Sequence, residues 1–522
     1  MGDSESTQLL SVQARGEAPE TTREKDNVST LRPLAFSLVA ALGALAFGYS
    51  LGYTSPIKDV LQDPKKGIDI SQGQQDIFGS IVNVGAMVGA LAGGVCLDRF
   101  GRTKTFLVSS IFYAAGFLLI AFCQHVTEPF AMLLVGRILD GFAIGIASVS
   151  VPVYIAEIAP AHLRGGMGSI NQLAVTLGVL LAYAIGAGVT WSNLAWIGAL
   201  APGALGVASF FLPDSPRYLA KKGRMQAALR DLRRLRGPKA DCESELNTVR
   251  ASLSTEESSA SVLDVFRGAS GRALVVAAGI MLFQQFSGIN AVIFFSGSIF
   301  EDAGFDNSNV AALIVGSVQF VVTAISCVIV DKSGRRALLM VAGVGMAASS
   351  ALLGYYFWLQ NNQYSVSGTV ALVNVIVYIA CFSIGLGAIP WLIMSEIFPG
   401  RVRGIASSFA TLLNWTCSFI VTETFSSIKS ALHEQGVFWL YAAVCVLGVT
   451  FVFFKLPETK GRSLEEIQLF FEGNHQSSGG DDDDDDEDGG SGSQGSDGKK
   501  LLQVGVLLAV LYVGLVLFGS SI

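Results

Sequence analysis

The chain has 522 residues, 51% of them hydrophobic and only 15% charged, with a mean hydropathy of +0.52. This balance excludes an ordinary soluble protein and predicts a polytopic membrane protein. The net charge of −7 says nothing about partners, because the run from Asp481 to Asp488 alone supplies eight negative charges. The seven cysteines fall mostly in apolar runs, with no CxxC and no clustered histidines, so no disulfide framework, metal site or other cofactor is expected, and no nucleic-acid partner.

Residues 1–32 form a polar tail with no apolar signal region before the first long hydrophobic run, so that run must itself direct insertion. Within the tail, Glu5, Leu9 and Leu10 have the acidic-x-x-x-Leu-Leu form of sorting signals read by clathrin adaptors, a hexapeptide that also arises by chance. It makes an endomembrane (vacuole, lysosome or endosome) an alternative to the plasma membrane.

Hydropathy predicts six spans within residues 33–212, near 33–55, 77–97, 105–123, 129–151, 167–188 and 194–212. A cytosolic stretch, 213–272, follows, in which Lys221, Lys222, Arg224, Arg230, Arg233, Arg234 and Arg236 recur at near-helical spacing. Short amphipathic helices under the membrane fit that pattern, and so does a plain topology determinant. Six further spans occupy 273–457, near 273–299, 309–330, 338–358, 370–394, 405–426 and 437–456. The linker 458–500 is acidic and rich in Gly, Ser and Asp, a composition that cannot bury a core. The apolar run 501–518, about 27 Å long as a helix, is then just long enough to be a thirteenth span. Arginines and lysines concentrate on the loops of one face, which the positive-inside rule makes cytosolic together with the N-terminus.

The seventh predicted span contains Gln284, Gln285 and Asn290, three carboxamides that lipid would not tolerate. On an unbroken helix Gln285 and Asn290 stand about 140° apart, so both reach one cavity only if the backbone unwinds near Ser287-Gly288. Carboxamides offer donors and acceptors without charge, which suits a neutral, hydroxyl-rich ligand; the alternative is interhelical hydrogen bonding inside a bundle.

The two groups of six spans repeat one another. Asp98-Arg99 and Arg102 after the second span match Asp331 and Arg335-Arg336 after the eighth. Glu157 and Arg164 after the fourth match Glu396 and Arg403 after the tenth. Pro213-Asp214-Ser215-Pro216-Arg217 after the sixth matches Pro457-Glu458-Thr459-Lys460-Gly461 after the twelfth. Two homologous halves facing each other follow from three motifs in register. Each charged motif lies at the cytosolic end of a span, where it either caps helices and sets topology or latches the halves together when the other side is open.

With these motifs, Gly136-Arg137, Gln-Gln-x-Ser-Gly-Ile-Asn and Gly385-x-Gly387-x-x-Pro390-Trp391, the chain resembles the sugar porter family of the major facilitator superfamily over about residues 33–470. Within it the chain is most similar to the intracellular type-eight glucose transporters and the plant early-dehydration-response carriers. The resemblance implies an all-α membrane protein with the major facilitator fold and two six-helix halves, to which the apolar run 501–518 would add an extra C-terminal span. It implies a hexose-like monosaccharide as substrate and alternating access as mechanism. Sugar-binding positions carry over to Gln172, Gln284, Gln285, Asn290, Gln319, Trp391, Asn414 and Trp415. The cytosolic gate carries over to Asp98, Arg99, Arg102, Arg137, Glu157, Arg164, Asp331, Arg335, Arg336, Glu396 and Arg403.

The chain departs from the family pattern at Phe294-Phe295, where many relatives have tyrosine, at Leu386 and Ala388, which replace prolines, and at Ser50, where proton-coupled relatives carry Asp. Asp140 and Glu423 are expected near span ends or helix interfaces, leaving no acid deep in the N-terminal half. Facilitated diffusion is therefore expected, with proton symport or a non-transporting sugar sensor as alternatives. No nucleophile, base and acid converge, so an enzyme is not expected.

Overall fold

The computed structural model describes residues 29–62, 68–160, 163–238, 240–255, 262–303, 308–460, 462 and 464–472. Glu5, Leu9, Leu10, the linker beyond residue 472 and the run 501–518 lie outside the described residues, as do the side chains of Arg164 and Asp331.

The first span is built from α1 (Leu31–Ala40), α2 (Leu42–Gly52) and α3 (Thr54–Gln62), and the next four are α4 (Gln72–Phe100), α5 (Arg102–Phe122), α6 (Pro129–Ile158) and α7 (Arg164–Gly186). The sixth comprises α8 (Trp191–Gly198) and α9 (Leu200–Ala208), interrupted at Ala199. Three helices follow, α10 (Pro216–Lys221), α11 (Met225–Arg236) and α12 (Cys242–Thr255). The second half contains α13 (Gly268–Phe286) with α14 (Ile289–Asp302), then α15 (Ser308–Ser333), α16 (Arg335–Asn361), and α17 (Gly368–Ile384) with α18 (Ile389–Ile397). Finally come α19 (Gly400–Lys455) and α20 (Leu464–Glu472).

At 1.5 Å per residue, α19 would be about 80 Å long if straight, more than twice the hydrocarbon thickness. It instead turns at His433, whose φ of 58° and ψ of 173° are not helical, and so makes two passes. Among the described residues the helices thus make twelve apolar passes. Large apolar side chains such as Val88, Leu91 and Val95 on α4 and Val321, Ile325 and Val328 on α15 are exposed, an arrangement that lipid makes favourable.

Local sequence sets several helix starts. Ser71 and Gln74 form a reciprocal capping box at α4. In Pro-Asp-Ser-Pro-Arg, the Ser215 hydroxyl accepts from the Tyr218 amide at 3.2 Å while Pro216 occupies the first turn, where no amide donor is needed. Within the N-terminal half, α4 and α6 approach at Gly85, Gly89, Gly141 and Gly145, where any β-carbon would run into the facing backbone. Between halves, α4 packs on α19 and α7 on α15.

The duplicated motifs build the same object twice. In the first half Arg102 grips Glu157 through two bonds (Nη2–Oε1 2.5 Å, Nε–Oε2 2.6 Å), reaches Leu97 O at 3.3 Å and gives its backbone amide to Asp214 at 3.0 Å. In the second, Arg335 pairs with Glu396 at 3.1 Å, reaches Val330 O at 3.1 Å and gives its amide to Glu458 at 2.9 Å. The preceding Gly101 and Gly334 share a positive φ, 89° and 85°, and a side chain on either would strike that third acid, Asp214 or Glu458. Burial pushes the Asp214 carboxyl above its usual range, against the pull of its amide donors and Arg102. Both of these arginine–glutamate pairs close within one half.

Around these clusters, Asp98 meets Lys221 at 3.4 Å as an exposed pair, and the Arg99 carbonyl accepts from the Tyr218 hydroxyl. Arg336 gives its amide to Glu458 and a guanidinium bond to Phe453 O, while Arg403 holds Phe398 O. Arg236 donates to Ile158 O at 2.7 Å and pairs with Glu245 at 2.8 Å, which ties α11 to the C-terminal carbonyls of α6. Arg137 does not belong with these residues. It stands eight residues into α6 from the opposite end, about 30 Å along the helix axis from Ile158. The expectation that grouped it with the cytosolic gate is corrected: the Gly136-Arg137 motif sits at the start of the fourth span, not at its basic end.

Candidate functional site

The backbone break required by the carboxamide spacing is present. Helix α13 stops at Phe286, Gly288 adopts φ 94° and ψ 9°, and α14 begins at Ile289. The Ser287 hydroxyl donates to Gln284 O at 2.7 Å and Ser287 O accepts from Tyr378 at 2.8 Å, so the unwound groups find partners inside the protein. A β-carbon on Gly288 would land on the Tyr441 ring. Glycine is therefore required both for the left-handed conformation and for space.

The break turns Asn290 back onto Gln285, and a chain of buried bonds results. Gln284 Nε2 donates to Leu386 O (2.5 Å), Asn414 Nδ2 to Gln284 Oε1 (2.7 Å) and Gln285 Nε2 to Asn414 Oδ1 (3.1 Å). Asn290 Nδ2 donates to both Gln285 Oε1 and Ser418 Oγ at 2.7 Å, and Ser418 in turn donates to Asn83 Oδ1 at 2.8 Å. The chain thus starts on the α17–α18 connection, passes through α13, α14 and α19, and ends on α4 in the other half. Beside it Trp415, also on α19, packs against Phe47 of α2 with ring centroids 5.6 Å apart. The Trp415 indole N–H is buried and has no hydrogen-bond partner among the described residues. Carboxamides that can open toward hydroxyls, next to an aromatic face and an unsatisfied donor, form a surface suited to a polyhydroxylated ring.

Gln172 is half-buried on α7, Gln319 is buried on α15, the helix that packs on α7, and Trp391 is half-buried at the start of α18. Among the described residues their side chains make no bond to the carboxamide chain. Asn83 and Ser418, which close that chain, were not singled out from the sequence, although a lone Asn inside the apolar run 77–97 was a usable signal.

At the outer end, opposite the arginine clusters, bonds cross between the halves. Ser55 and Ser296 hydroxyls lie 2.7 Å apart, Gly297 N donates to Ser55 Oγ and Tyr183 OH donates to Ile293 O at 2.7 Å. Ser80 bonds Glu423, Asn83 bonds Thr422 at 3.1 Å and Ser426 bonds Asp76 at 2.8 Å. Phe295, at a kink in α14, stacks on Phe425 at 4.8 Å. The outer side is thus bridged, and the hydroxyls that the Phe294-Phe295 pair lacks come from Ser55, Ser296 and Tyr183. Replacing Ser55 and Ser296 together by Ala removes bonds worth about 0.5–1.5 kcal/mol each. The double variant is expected to raise outward accessibility, read as faster modification of a cysteine placed at Phe294, several-fold over the same cysteine in the parent; an unchanged rate would remove these serines from the gate.

Asp140 departs from its sequence expectation. It lies eleven residues into α6 with no exposed surface, and Arg137, one turn earlier, is equally buried, so the N-terminal half does contain a deep acid. Arg137 Nη1 donates to Ser50 O at 3.0 Å and Ser50 Oγ at 3.2 Å, and Nη2 to Thr54 Oγ1 at 2.8 Å. The predicted bounds 129–151 already put residue 140 at mid-span, so the expectation disagreed with its own boundaries; the helix itself runs on to Ile158. Glu423, by contrast, does stand at an interface, that of α4 and α19.

The family model described as sugar (and other) transporter matches residues 36–471. The sugar transporter ERD6-like 6 of Arabidopsis thaliana is 42% identical over 451 residues, which cover 85% of this chain and 91% of the relative. The facilitated trehalose transporter Tret1 of Polypedilum vanderplanki is 38% identical over 439 residues, 83% of this chain and 86% of the relative. The solved proton:xylose symporter XylE, bound to 6-bromo-6-deoxy-D-glucose, aligns with a TM-score of 0.73 and 26% identity over 85% of this chain and 99% of its own.

Proposed function

Since the chain belongs to the sugar transporter family, as a multi-pass protein with the major facilitator fold, we propose that it carries a neutral monosaccharide, a hexose such as glucose, by alternating access of its two halves. The observation that carries this reading is the buried chain Gln284–Asn414–Gln285–Asn290 beside the unpartnered indole N–H of Trp415. Each amide bond opened is replaced by one to a sugar hydroxyl, so binding is a near-even exchange and the sugar can leave as readily as it arrives. Gln172, Gln319 and Trp391 are proposed to complete the sugar's surroundings from the facing helices.

The similarity to Tret1 favours a second substrate, trehalose, whose two glucose rings offer the same groups. Uptake of labelled glucose and trehalose into cells lacking endogenous sugar carriers decides between them. Flux of neither, with glucose binding intact, would leave the sugar-sensor reading instead.

The twin arginine clusters are proposed to set the balance between the two end states. Arg335→Ala removes the Glu396 pair and the Val330 contact. It is expected to shift the balance toward cytosolic accessibility and slow sugar exchange several-fold without abolishing binding. Cysteine labelling from each side that showed the opposite shift would refute this role. Facilitated diffusion was expected on the ground that the N-terminal half has no deep acid, and Asp140 removes that ground.

A further inference from the structure

We propose that Asp140 is a proton-binding site whose occupancy is coupled to closure of the outer gate, so that the chain moves its sugar together with a proton. The inference rests on the transport reading above and adds its driving force. Asp140 and Arg137 stand three residues apart on α6, on one face of the helix, both without exposed surface. A buried acid retained for structure is ordinarily held by hydrogen bonds, because desolvation is offset only when the remaining lone pairs find donors. Neither carboxylate oxygen of Asp140 is held by a donor in good hydrogen-bond geometry among the described residues, the Ser50 hydroxyl facing it only loosely, and Arg137 Nε has no partner either.

The groups around Asp140 come from three other helical segments. The first span supplies Ser50 and Tyr53, α5 supplies Tyr113 and Gly116, whose lack of a side chain makes room for the carboxylate, and α4 supplies Phe78, whose ring lies 4.9 Å from the guanidinium carbon of the neighbouring Arg137. Tyr53 donates its hydroxyl to Trp191 O at 2.9 Å and is therefore not a donor to Asp140, whereas the buried Tyr113 hydroxyl has no partner. Among the described residues Arg137 is the one cation on this face, and it is turned away, toward Ser50 and Thr54 of the first span.

That turn supplies the coupling. When Asp140 is ionised, it competes for the guanidinium. When it is protonated, Arg137 is released to Ser50 and Thr54. Thr54 adjoins Ser55, the residue that meets Ser296 and Gly297 of the other half. A proton taken from water on the outer side onto the Asp140 carboxylate therefore favours the outer-closed arrangement, and its later release to the cytosolic side lets the gate reopen. The sign follows: lowering the outer pH raises the outer-closed population and drives sugar inward.

The test uses the full-length protein in proteoliposomes or carrier-null cells, with pH clamped on both sides and a non-metabolised hexose as probe. With one proton per sugar, each unit of inward pH gradient, about 1.4 kcal/mol, is expected to sustain up to about tenfold accumulation, abolished by an uncoupler. Addition of sugar is also expected to alkalinise the outer medium, a readout that needs no variant. Asp140→Asn is expected to bring the hexose only to its external concentration, with a flat pH profile, while counterflow exchange of labelled for unlabelled hexose persists. Three results would overturn the proposal: downhill flux in the wild type with neither accumulation nor proton movement, accumulation by Asp140→Asn equal to the wild type, or an Asp140→Asn protein that is folded yet lacks counterflow. Absence of any sugar flux in the wild type would instead refute the transport reading on which the proposal stands.

Discussion

Gln285→Leu is expected to weaken hexose binding at least tenfold while leaving the protein folded and in the membrane. Gln285 occupies the middle of the buried chain, donating to Asn414 and accepting from Asn290. Leucine has nearly the same volume, so α13 and its packing against α19 should survive. What disappears is the amide that a sugar hydroxyl would engage, along with the donor and acceptor that orient its two neighbours. Two lost bonds at about 0.5–1.5 kcal/mol each amount to one to two orders of magnitude in affinity. Asn414 Oδ1 and one Asn290 proton are left in an apolar surround, and the sugar then satisfies them only from a shifted position. Binding measured by calorimetry on purified protein, with thermal stability as a control, tests the assignment. Unchanged affinity would show that these carboxamides serve only to glue helices together.

Gly288→Ala is expected to have the larger structural effect, through two separable causes. At φ 94° an L-residue incurs roughly 1–2 kcal/mol of backbone strain. The added methyl also collides with the Tyr441 ring, and overpacking of this kind costs about 1–3 kcal/mol. Relief by rewinding the break would carry Asn290 away from Gln285, so transport should fall together with thermal stability. Combining the substitution with Tyr441→Ala isolates the causes: the steric part should be relieved and the backbone part should remain. If the single variant matched the parent in melting temperature and in hexose affinity, the break would not be the element that assembles the site.

Much of this molecule was legible in one dimension. The twelve helical passes among the described residues follow from the lengths of apolar runs, because in a bilayer every backbone group must be satisfied within the helix. The break at Ser287-Gly288 follows from the helical angle between Gln285 and Asn290, a purely local quantity. Duplication of Asp-Arg, Glu and Pro-Asp/Glu motifs foretold two like halves, and the backbone-amide and Nη1 bonds of Arg102 recur at Arg335. Packing alone determined the rest. Hydropathy already placed Arg137 and Asp140 inside the fourth span, away from its basic end; what it cannot tell is which polar groups of neighbouring helices they meet, Ser50 and Thr54 in the case of Arg137. Asn83 and Ser418 are far apart in sequence and belong to different halves, and they meet only because α4 crosses α19. The bridging of the outer side is likewise a relation between the two halves. Periodicity and composition describe each helix with its own axis as reference; which faces meet, and at which end the halves touch, is decided by side-chain fit between helices distant in the chain.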